Sequence, residues 1–221
     1  IQLTNGGDNA EAYWSFDNSK IVFQATNSAW GDSCDQIYFT KLVHAERMLT
    51  ERPQLISTGK GRTTCSYFMP GDTTIIYAST HLASEDCPPK PDKREDGKYV
   101  WPVYAGFDIF VADLKGNILS QLTNEAGYDA EPTVSPKGDL IVFTSLRTGD
   151  LELYTMNIDG SDVKQITSEL GYDGGAFFSP DGTKLIFRSS RPQTEEEIAD
   201  YKALLLQGLV TPTEMELYIC N

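Results

Sequence analysis

Apolar residues along the chain come in short runs of four to six, each bounded by turn residues. "LIVF" at 140–143 and "KLIF" at 184–187 are β-branched and aromatic, as a buried strand requires. "LELYTM" at 151–156 alternates with period two, "NIDGS" at 157–161 supplies an Asp-Gly hairpin turn, and "VKQIT" at 163–167 gives a further strand. Before each buried run stands a Ser-Pro turn, "SPKG" at 135–138 and "SPDG" at 179–182, where proline presets φ and glycine accepts a positive φ. Ser135 and Ser179 are 44 residues apart, and the same step maps Gly138 on Gly182, Phe143 on Phe187, Arg147 on Arg191, and "QLT" at 121–123 on "QIT" at 165–167. A fixed period of this length with four strands per unit is the size of one propeller blade.

Two earlier units share the frame with decay. "EAYWSFDNSKIVFQAT" (11–26) with "DQIYFTKL" (35–42) places Ser15 at the anchor, and "CSYFMPGDTTIIYAST" (65–80) with "FDIFVADLKGN" (107–117) places Met69 there. The pattern predicts an all-β chain: a single β-propeller array over 1–221, with four four-stranded blades at about 1–52, 53–117, 118–162 and 163–221. Insertions account for the long steps between anchors. The first, 82–104, carries the "CPPKP" run and then Tyr99, Trp101 and Tyr104, and is either a lid over a blade edge or a contact surface. The second, 193–212, reads as one helix: Thr194 and Glu197 form a capping box, Ile198, Tyr201, Leu204 and Leu205 form an apolar face, and Gly208 and Pro212 end it. Its expected role is docking on the blades, with partner recognition second. Both ends look cut within the repeat frame, so a longer parent protein is expected.

The balance of 18 basic and 32 acidic side chains gives a net charge of −14, which disfavours nucleic acid and favours, if anything, cations or basic peptides. No run of about 18 apolar residues exists to span a membrane. Cys34, Cys65, Cys87 and Cys220 lack zinc-type spacing. Cys87, within the first insertion, is expected in a disulfide with Cys65, with Cys34 as the rival partner; an oxidising compartment follows from either. Four free buried thiols are the remaining alternative.

The stretches "YDAEPTVSPKGDLIVFTSLRTGDLELYTMNIDGS" and "SPDGTKLIFRSSRP" resemble the TolB-like propeller repeat, closely over 118–192, loosely over 1–43, and least at 53–80, where "FMPGD" replaces "SPDG". The resemblance implies a six-bladed ring, of which four blades are recognisable here, and a bacterial periplasmic or cell-surface setting. It covers binding proteins and the propeller domains of peptidases, whose nucleophile sits in a separate hydrolase domain, and so fixes no reaction.

Little chemistry is visible. His44 and His81 have no acid or nucleophile at a recognised catalytic spacing, and no Gly-x-Ser-x-Gly, His-Glu-x-x-His or phosphate loop is present. Repeat-equivalent acids are the other candidates. Asp129 and Asp173 lie six residues before their anchors, Glu11 and Glu131 four before theirs. At a channel mouth these carboxylates would draw a basic peptide tail or a hard cation such as Ca²⁺; alternatively they cap turns, or pair with Arg147 and Arg191 between blades. The expectation is a non-catalytic binding or scaffold propeller with a protein or peptide partner. The alternatives are the gating domain of a prolyl-oligopeptidase-like peptidase and a subunit of a self-assembling oligomer, with "QLT" at 2–4 and "ELYICN" at 216–221 as contact strands.

Overall fold

A computed structural model describes residues 2–42, 51–92, 94 and 97–221. The architecture is all-β, built of antiparallel propeller blades with one inserted helix. It divides into two compact units, Ile1–Cys87 with Asp108–Asn124, and Pro88–Phe107 with Glu125–Asn221. In the first unit, β1 (Asp8–Trp14), β2 (Lys20–Thr26), β3 (Gln36–Lys41) and β4 (Gln54–Leu55) form one blade in that order. β5 (Thr63–Phe68) and β6 (Thr74–Ser79) begin the next. The first insertion follows, with β7 (Trp101–Pro102) inside it, and β8 (Asp108–Asp113) and β9 (Ile118–Gln121) complete the second blade. The second unit holds β10 (Asp129–Val134), β11 (Leu140–Ser145), β12 (Glu152–Asn157) and β13 (Lys164–Gln165), then β14 (Asp173–Phe178) and β15 (Leu185–Ser189). Helix α1 (Glu195–Leu205) and β16 (Leu209–Val210) come next, and β17 (Glu216–Cys220) pairs with β15 to make the fourth sheet three-stranded. The outer strands β4, β9 and β13 lie a few residues past the boundaries that the turn pattern suggests.

The repeat is written in the backbone as well as in the side chains. At each anchor the residue three on is left-handed, Asn18, Asp72, Gly138 and Gly182, with φ of 56, 55, 72 and 70°. In each case its N–H donates to the anchor carbonyl, and the anchor N–H donates to the carbonyl five residues on. That tight turn joins the inner strand to the second strand of every blade. Four residues before each anchor the inner strand carries a bulge, two residues facing one, between Ala10 and Tyr13, Thr64 and Tyr67, Ala130 and Thr133, and Gly174 and Phe177. The bulge residue is again left-handed: Glu11, Cys65, Glu131 and Gly175, with φ of 50, 50, 57 and 61°. A bulge re-aims one side chain out of the strand's alternation, which matters for the site below.

Alternation in the remaining strands builds a core between neighbouring sheets. In the first unit Val22, Ile37 and Phe39 meet Phe68, Ile75, Tyr77 and Phe110; in the second, Val142 and Leu153 meet Ala176, Leu185 and Phe187. Each such buried side chain contributes about 1.5–3 kcal/mol by leaving water. The Asp72 carboxylate adds a polar clasp, accepting the Phe16 and Asp17 N–H groups of the preceding turn at 2.8 and 2.9 Å. Among the described residues no helix is long and apolar enough to cross a membrane.

The disulfide joins Cys34 to Cys87, with Cα atoms 5.9 Å apart, so the expected Cys65–Cys87 pairing is overturned. The reason lies in how residues 60–87 run. Gly61 donates to the Glu85 carbonyl, which holds the end of the insertion against the connector before β5. That connector is pinned to the start of β3, through Arg62 to Asp35 at 2.7 Å and Gln36 to the Gly61 carbonyl at 3.0 Å. Cys34 immediately precedes Asp35, and Cys87 arrives beside it. Cys65 is the bulge residue of β5, and its Sγ sits 3.1 Å from Thr64 Oγ1. Closing a separation of 53 residues stabilises the fold by about 4 kcal/mol in the loop-entropy estimate. Alkylation without reduction is expected to label Cys65 and Cys220 and spare Cys34 and Cys87, and thermal melts to show C34S and C87S destabilised equally and by far more than C65S; labelling of Cys87 would contradict the pairing.

Candidate functional site

The carboxylates at the strand starts are committed to arginines. Asp129, 2 % exposed, accepts Arg147 Nη2 at 3.1 and 3.2 Å, and Arg147 Nε donates to Ser145 Oγ at 2.9 Å. Asp173, fully buried, takes Arg191 Nη2 at 2.7 and 2.9 Å, while Arg191 Nε reaches Glu169 at 3.3 Å. These pairs form within a blade, not between blades as expected. Register explains it: Asp129 faces Ser145 and Asp173 faces Ser189 across the first two strands, so an arginine two residues past that serine folds back over its own sheet. In the second blade the same two positions hold Thr63 and His81. Burial, then Lys60, pushes the His81 imidazole below its ordinary pKa, and its Nδ1 lies 2.9 Å from Ser79 Oγ. Ser79 is buried, so this pair presents no accessible nucleophile. His44 lies outside the described residues.

Glu131 works differently. As the bulge residue of β10 it leaves its own strand and crosses to the next blade. Its carboxylate accepts Thr144 Oγ1 at 2.8 Å, the Tyr172 hydroxyl at 2.8 and 2.9 Å, Gly175 N at 2.8 Å and Arg188 Nη2 at 2.9 Å. Space for it comes from "GG" at 174–175: a Cβ on Gly174 would collide with the Tyr172 hydroxyl and the Glu131 carboxylate. Burial, then the Glu131 charge, pushes the Tyr172 phenol far up, so it stays a donor. Glu11, the equivalent residue, is the bulge of β1 in the first unit. Among the described residues no group of three His, Cys, Asp or Glu is arranged to hold a metal ion.

Arg188 carries the structure onward to the two insertions, which turn out to be one feature. The indole of Trp101 lies over the Arg188 guanidinium at 4.7 Å, and β7 pairs with β16, Trp101 facing Val210 and Pro102 facing Leu209. Val103 N donates to the Gly208 carbonyl at 2.8 Å, and Arg94 meets Asp200 of α1 at 2.9 Å. Helix α1 starts as expected, with Thr194 and Glu197 in a capping box, and buries Tyr201 and Leu204. The Tyr201 hydroxyl donates to Asp150, two residues before the third blade's β12. Of the three loop aromatics, Trp101 is structural, Tyr104 donates to the Pro89 carbonyl at 2.7 Å, and Tyr99 is 67 % exposed. Sequence reasoning missed Tyr172 and Arg188. The "YD" that opens the inner strands of the third and fourth blades and the glycine pair at 174–175 were the available signals.

Under this annex sits a carboxyl with no hydrogen-bond partner on Oε2, that of Glu152, 3 % exposed. Burial pushes its pKa from 4.5 up to about 7; Thr167 and Arg191 oppose the shift, and Asp173 and Asp150 add to it. Folding thus favours the protonated acid. Its contribution is present in full below about pH 4.5 and is lost as pH rises through 7, amounting to roughly 3 kcal/mol. Melts from pH 5 to 8 are expected to show a stability loss that Glu152→Gln abolishes, the variant being the more stable at pH 8 and close to the parent at pH 5; a parallel loss in both proteins would contradict this.

Residues 104–204 match the family model of the TolB beta propeller domain. No curated protein matches the chain. In structure it is similar to TolB from Acinetobacter baumannii, at 18% identity and a TM-score of 0.55 over 85% of this chain and 39% of that one. It is also similar to a chain of the nidogen/laminin complex, at 11% identity and a TM-score of 0.57 over 96% of this chain and 65% of that one. At such identities the likeness is one of fold, and the chain spans well under half the length of that TolB. The anchor turns and inner-strand bulges recur through four blades, residues 104–204 match the TolB beta propeller domain, and the chain shares the β-propeller fold of that TolB.

Proposed function

We propose that this chain is a non-catalytic propeller module that binds a protein or peptide partner outside the cytoplasm, in the periplasm or at the cell surface. The observation that carries the reading is the annex. Two insertions about 90 residues apart in the sequence are held together by a strand pair and an ion pair, and a cation–π contact to Arg188 anchors the first of them on β15, although the blade repeat needs neither. Surface segments tied down at this cost in conformational entropy serve recognition more often than packing. The annex presents large apolar side chains to solvent, with Tyr99 67 % and Leu206 90 % exposed. The repeat-equivalent acids of the second unit, by contrast, are occupied by arginines, and the serine that His81 meets is buried. The disulfide supports an oxidising compartment.

Photo-crosslinking in the cells that make the protein tests this. A photoreactive residue at position 99 or 206 is expected to yield a discrete adduct, and one at Leu119, 58 % exposed on β9, none. An adduct at twice the chain's mass would identify the partner as a second copy. No adduct at either annex position, or equal adducts at all three, would overturn the reading.

A further inference from the structure

Within each unit one blade joins the next by a knob and a socket, and the knob is the residue just before the anchor. Phe68 of the second blade is fully buried against Val22, Ile37 and Phe39 of the first. Phe178 of the fourth packs in the same way on Val142 and Leu153 of the third. The strand pairings put Ile186, Leu217 and Ile219 of the fourth blade where the first has Val22, Ile37 and Phe39. That socket is open, its residues 41, 74 and 68 % exposed, and Trp14, the knob of the first blade, is 57 % exposed. We propose that this chain assembles head to tail with a second copy of itself. Trp14 of one copy seats on Ile186, Leu217 and Ile219 of the other, and residues 2–4 of the first pair with the free edge of β17. This surface is separate from the annex, and the inference does not rest on the binding reading above.

The backbone supplies the register independently of the side chains. In three blades a short segment closes the outer edge of the third strand. Ile56, Leu122 and Ile166 donate their N–H to the carbonyls of Ile37, Ile109 and Leu153, each at 2.8 Å. The hydroxyl that follows, on Ser57, Thr123 and Thr167, accepts the N–H of that same strand residue at 3.0, 2.9 and 2.9 Å. Leu217 holds the equivalent place in β17, facing Arg188 as Leu153 faces Thr144. Among the described residues β17 is the outermost strand of its sheet, so the Leu217 N–H and carbonyl lie on an open edge. "QLT" at 2–4 repeats "QLT" at 121–123 letter for letter. In the same register the Leu3 N–H meets the Leu217 carbonyl and the Thr4 hydroxyl meets the Leu217 N–H. Leu3 already rests on Ile21, Phe23, Ala25 and Tyr38, so the triplet is carried by the same blade as Trp14. An open strand edge beside an exposed apolar face recruits a further strand. A second copy supplies the knob and the matching triplet together, and a contact between unlike surfaces of one chain is heterologous.

Sedimentation velocity on the whole chain, from micromolar to submillimolar concentration, reads the assembly. The parent is expected to associate. Trp14→Lys and Leu217→Lys, both at exposed positions, are expected to stay monomeric with melting temperatures near the parent's. Each lowers the net negative charge, so added repulsion between copies does not account for the loss. Mixed in equal amounts, the two variants are expected to form a two-chain species and nothing larger, because each keeps the half that the other has lost. Thr4→Val keeps the shape but removes the acceptor for the Leu217 N–H, and is expected to weaken association about fivefold. Hydrogen exchange at Leu217 is expected to be slower in the assembled parent than in Trp14→Lys. A parent that stays monomeric, single variants that associate as the parent does, or a mixture that fails to restore pairing would each overturn the proposal. Loss of the adducts at 99 and 206 would leave it standing, since they report on the annex alone.

Discussion

One buried carboxylate organises the second unit. Glu131 cannot stay charged in the interior without partners, and it has four donors, contributed by its own blade and the next. It reaches them because a bulge places it in left-handed backbone and turns it out of β10. Once there it fixes the guanidinium of Arg188, which in turn lies over the Trp101 ring. Blade packing and insertion docking are thus joined through a single charged pair. Replacing either partner alone would strand the other, which is the costly way to break such a pair.

The annex could not form from its own strands. β7 and β16 are two residues each, too short to hold together in water. What orders them is the sum of Trp101 on Arg188, Arg94 on Asp200, and Tyr201 on Asp150. The helix supplies two of those three contacts and the inserted loop two. Neither insertion has a complete set of partners without the other. A repeat fold is well suited to this arrangement, since its blades keep their packing whatever is inserted between the strands.

The blades were legible from the sequence because their signals recur in register: the anchor turn, written Ser-Pro in the third and fourth blades, and the buried run that follows it. The helix was legible for the same local reasons, Thr194 and Glu197 at its start and Gly208 at its end. Residues whose meaning depends on a neighbouring strand were less so. Asp129 and Asp173 stood out by position, but register decides that their partners are arginines of the same blade. Cys87 was expected in a disulfide, with Cys65 preferred and Cys34 the rival, and the preference failed because the path of residues 60–87 along β3 leaves no mark on cysteine spacing. The joining of the two insertions left no local trace either, since tertiary pairing of two-residue strands has no periodicity to read.

The Val103 amide reports most directly on whether the insertions form one feature, because it donates to the Gly208 carbonyl at the far side of the β7–β16 pair. Native-state hydrogen exchange should find it slowed at least about a hundredfold below the unstructured rate, and close to that rate when 195–205 are replaced by a Gly-Ser linker. Fast exchange at Val103 in the intact chain, or protection that survives removal of the helix, would show that the insertions are independent.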